Sequence, residues 1–352
     1  MSKNEVFVSA DGIRSFIKDV LLEVKVNNDV AGYVAEGLVQ TSLRGVDSHG
    51  IRLFPHYLEG VKKGRINPDP NYEFNRTSPS SGMLNADHTF GHAAGMEAAK
   101  KAVELANEAG TGHIAVYNSS HFGAAAYYGL EIAKHDMIGM SFTNTDSLIK
   151  TYVGKRAFLG NNPFCAVVPL EDDEPFCLDM ATSIITFNKV KQHREKNLSL
   201  PEEVAAGIDG CETTNANEAT MLLPIGRYKG YGLSMFIEIL CSLLTGMPYG
   251  PHIPKMFEAP MADKRYLGHF VIAMKIDCFQ NKDAFKKRMS LMVDEIRNAP
   301  VMDKDIPIQV PGEPEKAIAK KRIKTGIPID KKLLKEFISF GKDYKINFPY
   351  MS

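Results

Sequence analysis

Residues 113–134 read HIAVYNSSHFGAAAYYGLEIAK, and the parsing of the surrounding chain turns on this stretch. His113 to Tyr117 form a short β-branched and aromatic run, the signature of a strand. From residue 124 onward, small and apolar residues recur at helical spacing. The motif Ser120-His121-Phe122-Gly123 falls in the junction, so His121 is expected at a strand-to-helix corner. Working outward, a helix over 93–108 stops at Gly110-Thr111-Gly112, and a strand over 138–143 follows. Short β runs near 72–74 and 82–85, strands at 164–168, 176–179 and 270–276, and helices at 230–244 and 283–297 continue this mixed α and β character. Asp330 reads as the cap of a last helix reaching about residue 342. The charged stretch 189–210 reads as mobile or surface-lying, with a helix start at Leu200-Pro201-Glu202-Glu203.

The first part of the chain has a different pattern. Ile13, Phe16, Ile17, Val20 and Leu21, then Val30, Val34, Leu38 and Val39, recur at helical spacing, and a third amphipathic piece covers 51–61. This is a small helical lobe. Ser48-His49-Gly50 stands at the start of the third piece, seventy-two positions before His121. The two histidines look like the acid/base pair of a hydride-transfer enzyme.

With 352 residues the chain is long enough for one large or two ordinary domains. Lys+Arg and Asp+Glu number 42 each, so no net positive charge points to nucleic acid, and a small-molecule partner is expected. The most apolar run, 233–244, is interrupted by Glu238 and falls well short of the ~20 residues a membrane helix needs. It reads as a buried core helix. The opening residues lack a secretory pattern, and the five cysteines form no C-x-x-C pair. A cytoplasmic protein with reduced, mostly buried thiols is expected.

The chain contains no G-x-G-x-x-G, no Walker loop, no H-E-x-x-H and no G-x-S-x-G. His88 and His92 have metal-like spacing, but Phe90-Gly91 between them breaks a helix and no carboxylate partner is evident, so no metal is expected. Reduction of a 2-oxo acid needs a cation for the carboxylate, a proton donor at the carbonyl oxygen and a hydride source. Arg44, Ser48, His49, Arg52 and Tyr57 lie within fourteen residues and supply such groups. The same arginines also suit a solvated helix face. Arg227-Tyr228-Lys229-Gly230-Tyr231-Gly232 before an apolar helix is a natural anion site.

Six segments, in order, carry a resemblance: Arg44-Gly45-Val46-Asp47-Ser48-His49-Gly50, Ser120-His121-Phe122-Gly123, Gly160-Asn161-Asn162-Pro163, Asp179-Met180-Ala181-Thr182, Lys229-Gly230-Tyr231-Gly232-Leu233 and Pro311-Gly312-Glu313. Over nearly its whole length the chain resembles the malate/L-lactate dehydrogenase family of the second type, which includes ureidoglycolate, sulfolactate and diketogulonate dehydrogenases. The resemblance implies an α+β fold: a non-Rossmann cofactor domain with a mostly antiparallel sheet flanked by helices (73–299), plus a small helical domain (1–72 with 300–352). It implies an oxidoreductase using NAD or NADP to interconvert a small 2-hydroxy acid, such as malate, lactate or ureidoglycolate, and its 2-oxo acid, in a homodimer with active sites between subunits. His49 and His121 match the acid/base positions, and Ser48, Arg52, Arg44 and Tyr57 fall on the substrate side. Asn144, Thr145, Asp146, Asp179, Met180, Ala181, Lys229, Gly230, Gly312 and Glu313 match or neighbour cofactor positions. Two departures bear on substrate: Leu53 stands where members commonly have arginine, and Lys150 to Lys155 replace an aromatic-Gly-Gly segment. An NADPH-dependent cyclic imino acid reductase and a catalytically degenerate cofactor-binding relative are the alternatives. Lys189, Lys191, Arg194 and Lys196 suit either a 2′-phosphate or a solvated face.

Overall fold

The computed structural model describes residues 5–171 and 173–350. The helical lobe is built as the periodicity requires. Helix Ala10–Glu23 is capped by Ser9, whose Oγ accepts from the Gly12 N–H at 3.0 Å, and it buries Ile13, Phe16, Ile17, Val20 and Leu21. Helix Asn28–Leu43 packs on it, and a 3₁₀ turn at Ile51–Leu53 leads into helix Phe54–Lys62, where proline stands in the first turn. The apolar faces share one core with Ile327, Ile329, Leu333 and Phe337 from much later in the chain. Strand Glu5–Val8 pairs antiparallel with Ile327–Asp330, and Asp330 then caps helix Lys331–Tyr344 by accepting from the N–H groups of Lys332 and Leu333.

The larger unit is centred on a seven-stranded sheet. Its order across the sheet is Glu73–Ser78, Ser81–Asn85, Thr111–Ser119, Leu267–Lys275, Met137–Thr143, Phe164–Val168 and Phe176–Met180. Every neighbouring pair is antiparallel except Ser81–Asn85 with Thr111–Ser119, which the crossover helix Gly91–Ala109 makes parallel. Residues alternate between the two faces: Val271 and Ala273 pack under helices Gly91–Ala109 and Ala126–Ala133, while Phe270 and Ile272 face helix Tyr228–Glu238 and its π-turn Ile239–Leu243. The mostly antiparallel, helix-flanked sheet and the separate helical core are the α+β arrangement expected.

Two expectations are corrected. Stretch 189–210 lies mostly at the surface, as expected, yet it has a core of its own. Helix Phe187–Glu195 and a small four-stranded sheet bury Val190, Leu200, Val204 and Ala205 in a satellite core. No helix starts at Leu200; Glu203 takes a positive φ and strand Ala205–Ala206 follows. The apolar residues there are too irregularly spaced in a charged background for a periodic reading to find them. Nor is 233–244 a wholly buried helix, since Met235, Phe236, Leu243 and Leu244 are exposed in the single chain. Cys165, Cys177 and Cys241 are buried, whereas Cys211 and Cys278 are exposed. Among the described residues, no helix is long and apolar enough to cross a membrane.

Candidate active site

His49 lies in the turn between helix Asn28–Leu43 and the 3₁₀ turn, with its Nδ1 2.9 Å from Ser48 Oγ. That turn is tethered by a bidentate pair from Arg322 to Asp47 at 2.6 and 2.9 Å. His121 follows strand Thr111–Ser119, and its Nδ1 is 2.6 Å from Tyr57 Oη, a group from the helical lobe. The imidazoles of His49 and His121 stack with centroids 5.6 Å apart and planes at 21°. The fold therefore closes the long sequence gap between the two motifs. Behind them the corner is fixed by His269, hydrogen-bonded to Thr143 and Ser119 at 2.7 Å each and stacked on Phe122 at 4.1 Å. Gly91 passes so close that a methyl group there would overlap the His121 carbonyl.

Desolvation dominates the electrostatics. Burial pushes the His121 imidazole well below its ordinary 6.5, and the nearby His49 and Arg265 charges add to the shift. Burial lowers His49 in the same way. Both rings are neutral at pH 7. Tyr57 is shifted upward by burial, so its phenol keeps its proton. Two arginines in this neighbourhood behave differently. Each nitrogen of Arg65 is engaged, donating to the carbonyls of Met256, Ala259, Pro260 and Asp263 and so pinning that loop. Among the described residues, Arg265 donates only to Asp146. Asp146 in turn accepts from the Met256 N–H at 2.7 Å.

A cavity of about 1780 Å³ runs past both histidines. Ser48, Arg44 and Arg52 border it with them, although each arginine already has an acidic partner: Glu174 at 3.2 Å for Arg44, Asp330 at 3.0 Å for Arg52. Thr145, Asp146, Asp179, Ala181 and Gly312 also line it. Other expected residues lie elsewhere. Asn144 is behind the wall, its amide spent on Ser242, the Pro248 carbonyl and the Gly268 N–H. Met180 is the strand residue between Asp179 and Ala181 and is not on the wall. Glu313 accepts from Arg297 at 2.6 Å and from the Val310 N–H at 2.7 Å. Lys229 and Gly230 open the apolar helix outside the cavity of the single chain. In the 189–196 charge run, Arg194 donates to the Ala216 carbonyl, while Lys191 borders the cavity over the Phe257 ring. His92 is buried beside Tyr57 and His88 stands against Tyr266. Sequence reasoning missed Arg265 and Asn161. Arg265 sits in Lys264-Arg265-Tyr266, which reads as an ordinary charged loop until Asp146, far away in sequence, is placed beside it.

The model of the malate/L-lactate dehydrogenase family matches residues 8–338. The chain belongs to that family. Among family relatives, it is 35% identical to a malate dehydrogenase of Pyrococcus abyssi over 96% of this chain and 94% of that one. It is 33% identical to an L-sulfolactate dehydrogenase of Methanocaldococcus jannaschii, covering 95% and 96%. The solved structure of a malate dehydrogenase from Entamoeba histolytica superposes with a TM-score of 0.92 at 31% identity, covering 98% of this chain and all of that one. As an oxidoreductase of the malate/L-lactate dehydrogenase family, the protein calls for a nicotinamide cofactor, and the cavity can be tested for one. Asp179 presents its carboxylate to the open cavity from a crowded setting, with one oxygen accepting from the Ala126 N–H at 2.8 Å. The surrounding protein raises its carboxyl to about 6. Asn161 has a buried amide oxygen without a partner among the described residues. At Gly312, φ is 96° and a Cβ would come within 3.0 Å of Cys177, so only glycine leaves the wall open. These groups fit a polar, hydroxyl-bearing dinucleotide.

Proposed function

We propose that the protein interconverts a small 2-hydroxy acid and its 2-oxo acid by hydride transfer, with His121 moving the proton. The observation that carries this reading is that His121, hydrogen-bonded to the buried Tyr57 and stacked on His49, borders one cavity together with His49. When bound, the nicotinamide cofactor takes or gives the hydride. With Nδ1–H donated to Tyr57 Oη, the neutral His121 ring has its Nε2 lone pair free to take the hydroxyl proton of a 2-hydroxy acid. In the reverse direction the same nitrogen returns the proton to the developing alkoxide. His49, oriented by Ser48, stands one ring-stack away and orders the reacting oxygen. Asp179, Ala181, Asn161, Thr145 and Gly312 would hold the cofactor.

The functional unit in this reading is a homodimer. Tyr228, Met235, Phe236, Leu243 and Leu244 leave an apolar face uncovered on helix Tyr228–Glu238 and the π-turn that continues it, a patch of the kind a second copy covers. That copy would bring Lys229 and Gly230 toward a neighbouring cavity. The test is a panel of 2-oxo acids and cyclic imino acids assayed with NADH and with NADPH by loss of nicotinamide absorbance, on wild type and His121→Ala. Turnover of 2-oxo acids that collapses in the variant supports the reading. Turnover of cyclic imines alone, or of nothing, overturns it.

A further inference from the structure

We infer that Arg265, held by Asp146, is the group that anchors the substrate's carboxylate. This rests on the 2-oxo acid reading above. Arg265 stands just before strand Leu267–Lys275, is only 2% exposed and borders the cavity that contains both histidines. A guanidinium has five N–H donors in a rigid plane. Here one nitrogen, Nη2, meets Asp146, while Nε and Nη1 are buried with no partner among the described residues. Buried charge with unmet donors is strongly unfavourable unless an anion completes it.

The support around Arg265 is rigid. Asp146 cannot turn to satisfy more of the guanidinium, because its second oxygen accepts from the Met256 N–H at 2.7 Å. Arg65 in turn fixes the Met256 carbonyl at 2.7 Å. The charge is also close to the proton-transfer pair, since it perturbs both Tyr57 and His121. The two other arginines of the cavity are less suitable. Arg52 is half exposed and paired with Asp330. Arg44 has one buried nitrogen without a partner, Nη2, against two in Arg265; it also pairs with Glu174 and lies close enough to Asp179 to act on it, so its surroundings are already anionic. A carboxylate seated on Arg265 would hold the adjacent carbon, the one that changes oxidation state in a 2-hydroxy acid, in the cavity that His121 borders. The planar fork suits a carboxylate better than an ammonium would.

The experiment uses Arg265→Met and Arg265→Lys, with oxamate as a non-reducible carboxylate probe in the presence of the reduced cofactor. In Arg265→Met we expect KM for the best 2-oxo acid and Kd for oxamate both to rise by about 100-fold, with cofactor affinity unchanged. Arg265→Lys keeps a positive charge against Asp146 and is expected to fall between, and guanidinium ion in the buffer should restore part of the loss in Arg265→Ala. A purely structural role would lower Tm and kcat and leave oxamate affinity alone in the folded Lys variant; that result overturns the assignment, as does wild-type enzyme that does not bind oxamate. If no 2-oxo acid turns over yet oxamate binds and Arg265→Met abolishes its binding, the reaction reading fails while the anchor stands.

Discussion

At the residue scale, burial decides the charge of the two cavity imidazoles, and with it the direction of their chemistry. A ring held neutral well below pH 6.5 is a ready base for hydroxyl oxidation. The acidic limb of kcat/KM for 2-hydroxy acid oxidation should therefore lie below 6.5, because protonation, which inactivates the base, is displaced to lower pH. Tyr57→Phe removes the acceptor that stabilises the imidazolium Nδ1–H, so the limb should move lower still while kcat drops about 10-fold or more. A pH–rate profile of both proteins checks the sign. His121→Ala should cost about 100-fold or more in kcat, measured at saturating substrate, whereas His49→Ala should lose less if its part is to order the reacting oxygen. Both histidines were legible in sequence because glycines and hydroxyl residues flank them. Arg265 was not, since nothing local separates a guanidinium with unmet donors from one in solvent.

At the level of elements, the corner that carries His121 depends on how closely helix Gly91–Ala109 approaches it. Gly91→Ala forces a methyl against backbone rather than a yielding side chain. The expected outcome is a loss of about 1–3 kcal/mol in chemical denaturation, with kcat reduced and cofactor affinity retained. The apolar helix makes a different prediction. Phe236→Asp places a charge on its uncovered face, and analytical ultracentrifugation should show a shift from dimer to monomer with loss of turnover. Strong periodicity made helices such as Ala10–Glu23 and Lys331–Tyr344 readable, the latter down to its Asp330 cap. Three kinds of element escaped: strand Glu5–Val8, whose partner is over three hundred residues away; the two-residue strands of the minor sheet; and the satellite core beneath a charged exterior. Each depends on contacts distant in sequence rather than on a local pattern.

At the scale of the whole molecule, several histidines are buried as neutral rings. His92 and His269 are pushed down to about 3 by desolvation. In the unfolded chain the same rings bind protons near 6.5, so between these values the unfolded state holds more protons and stability falls as pH drops. The stabilisation is complete above about 6.5 and declines by about 1.4 kcal/mol per pH unit for each such ring. Thermal melts from pH 7.5 to 4.5 should show Tm falling on the acid side, and His269→Gln should flatten that slope. The α+β class and the mostly antiparallel sheet came from the ordered set of motifs rather than from periodicity, which cannot rank strand neighbours. Strand Glu5–Val8 and the shared core also set an order of assembly. The lobe that presents His49 and Tyr57 cannot close until Ile327, Ile329 and Phe337 have been synthesised. On the ribosome, the sheet that bears His121 can therefore mature while its counterpart is still open, and the two imidazoles first meet only after residues 327–337 have emerged.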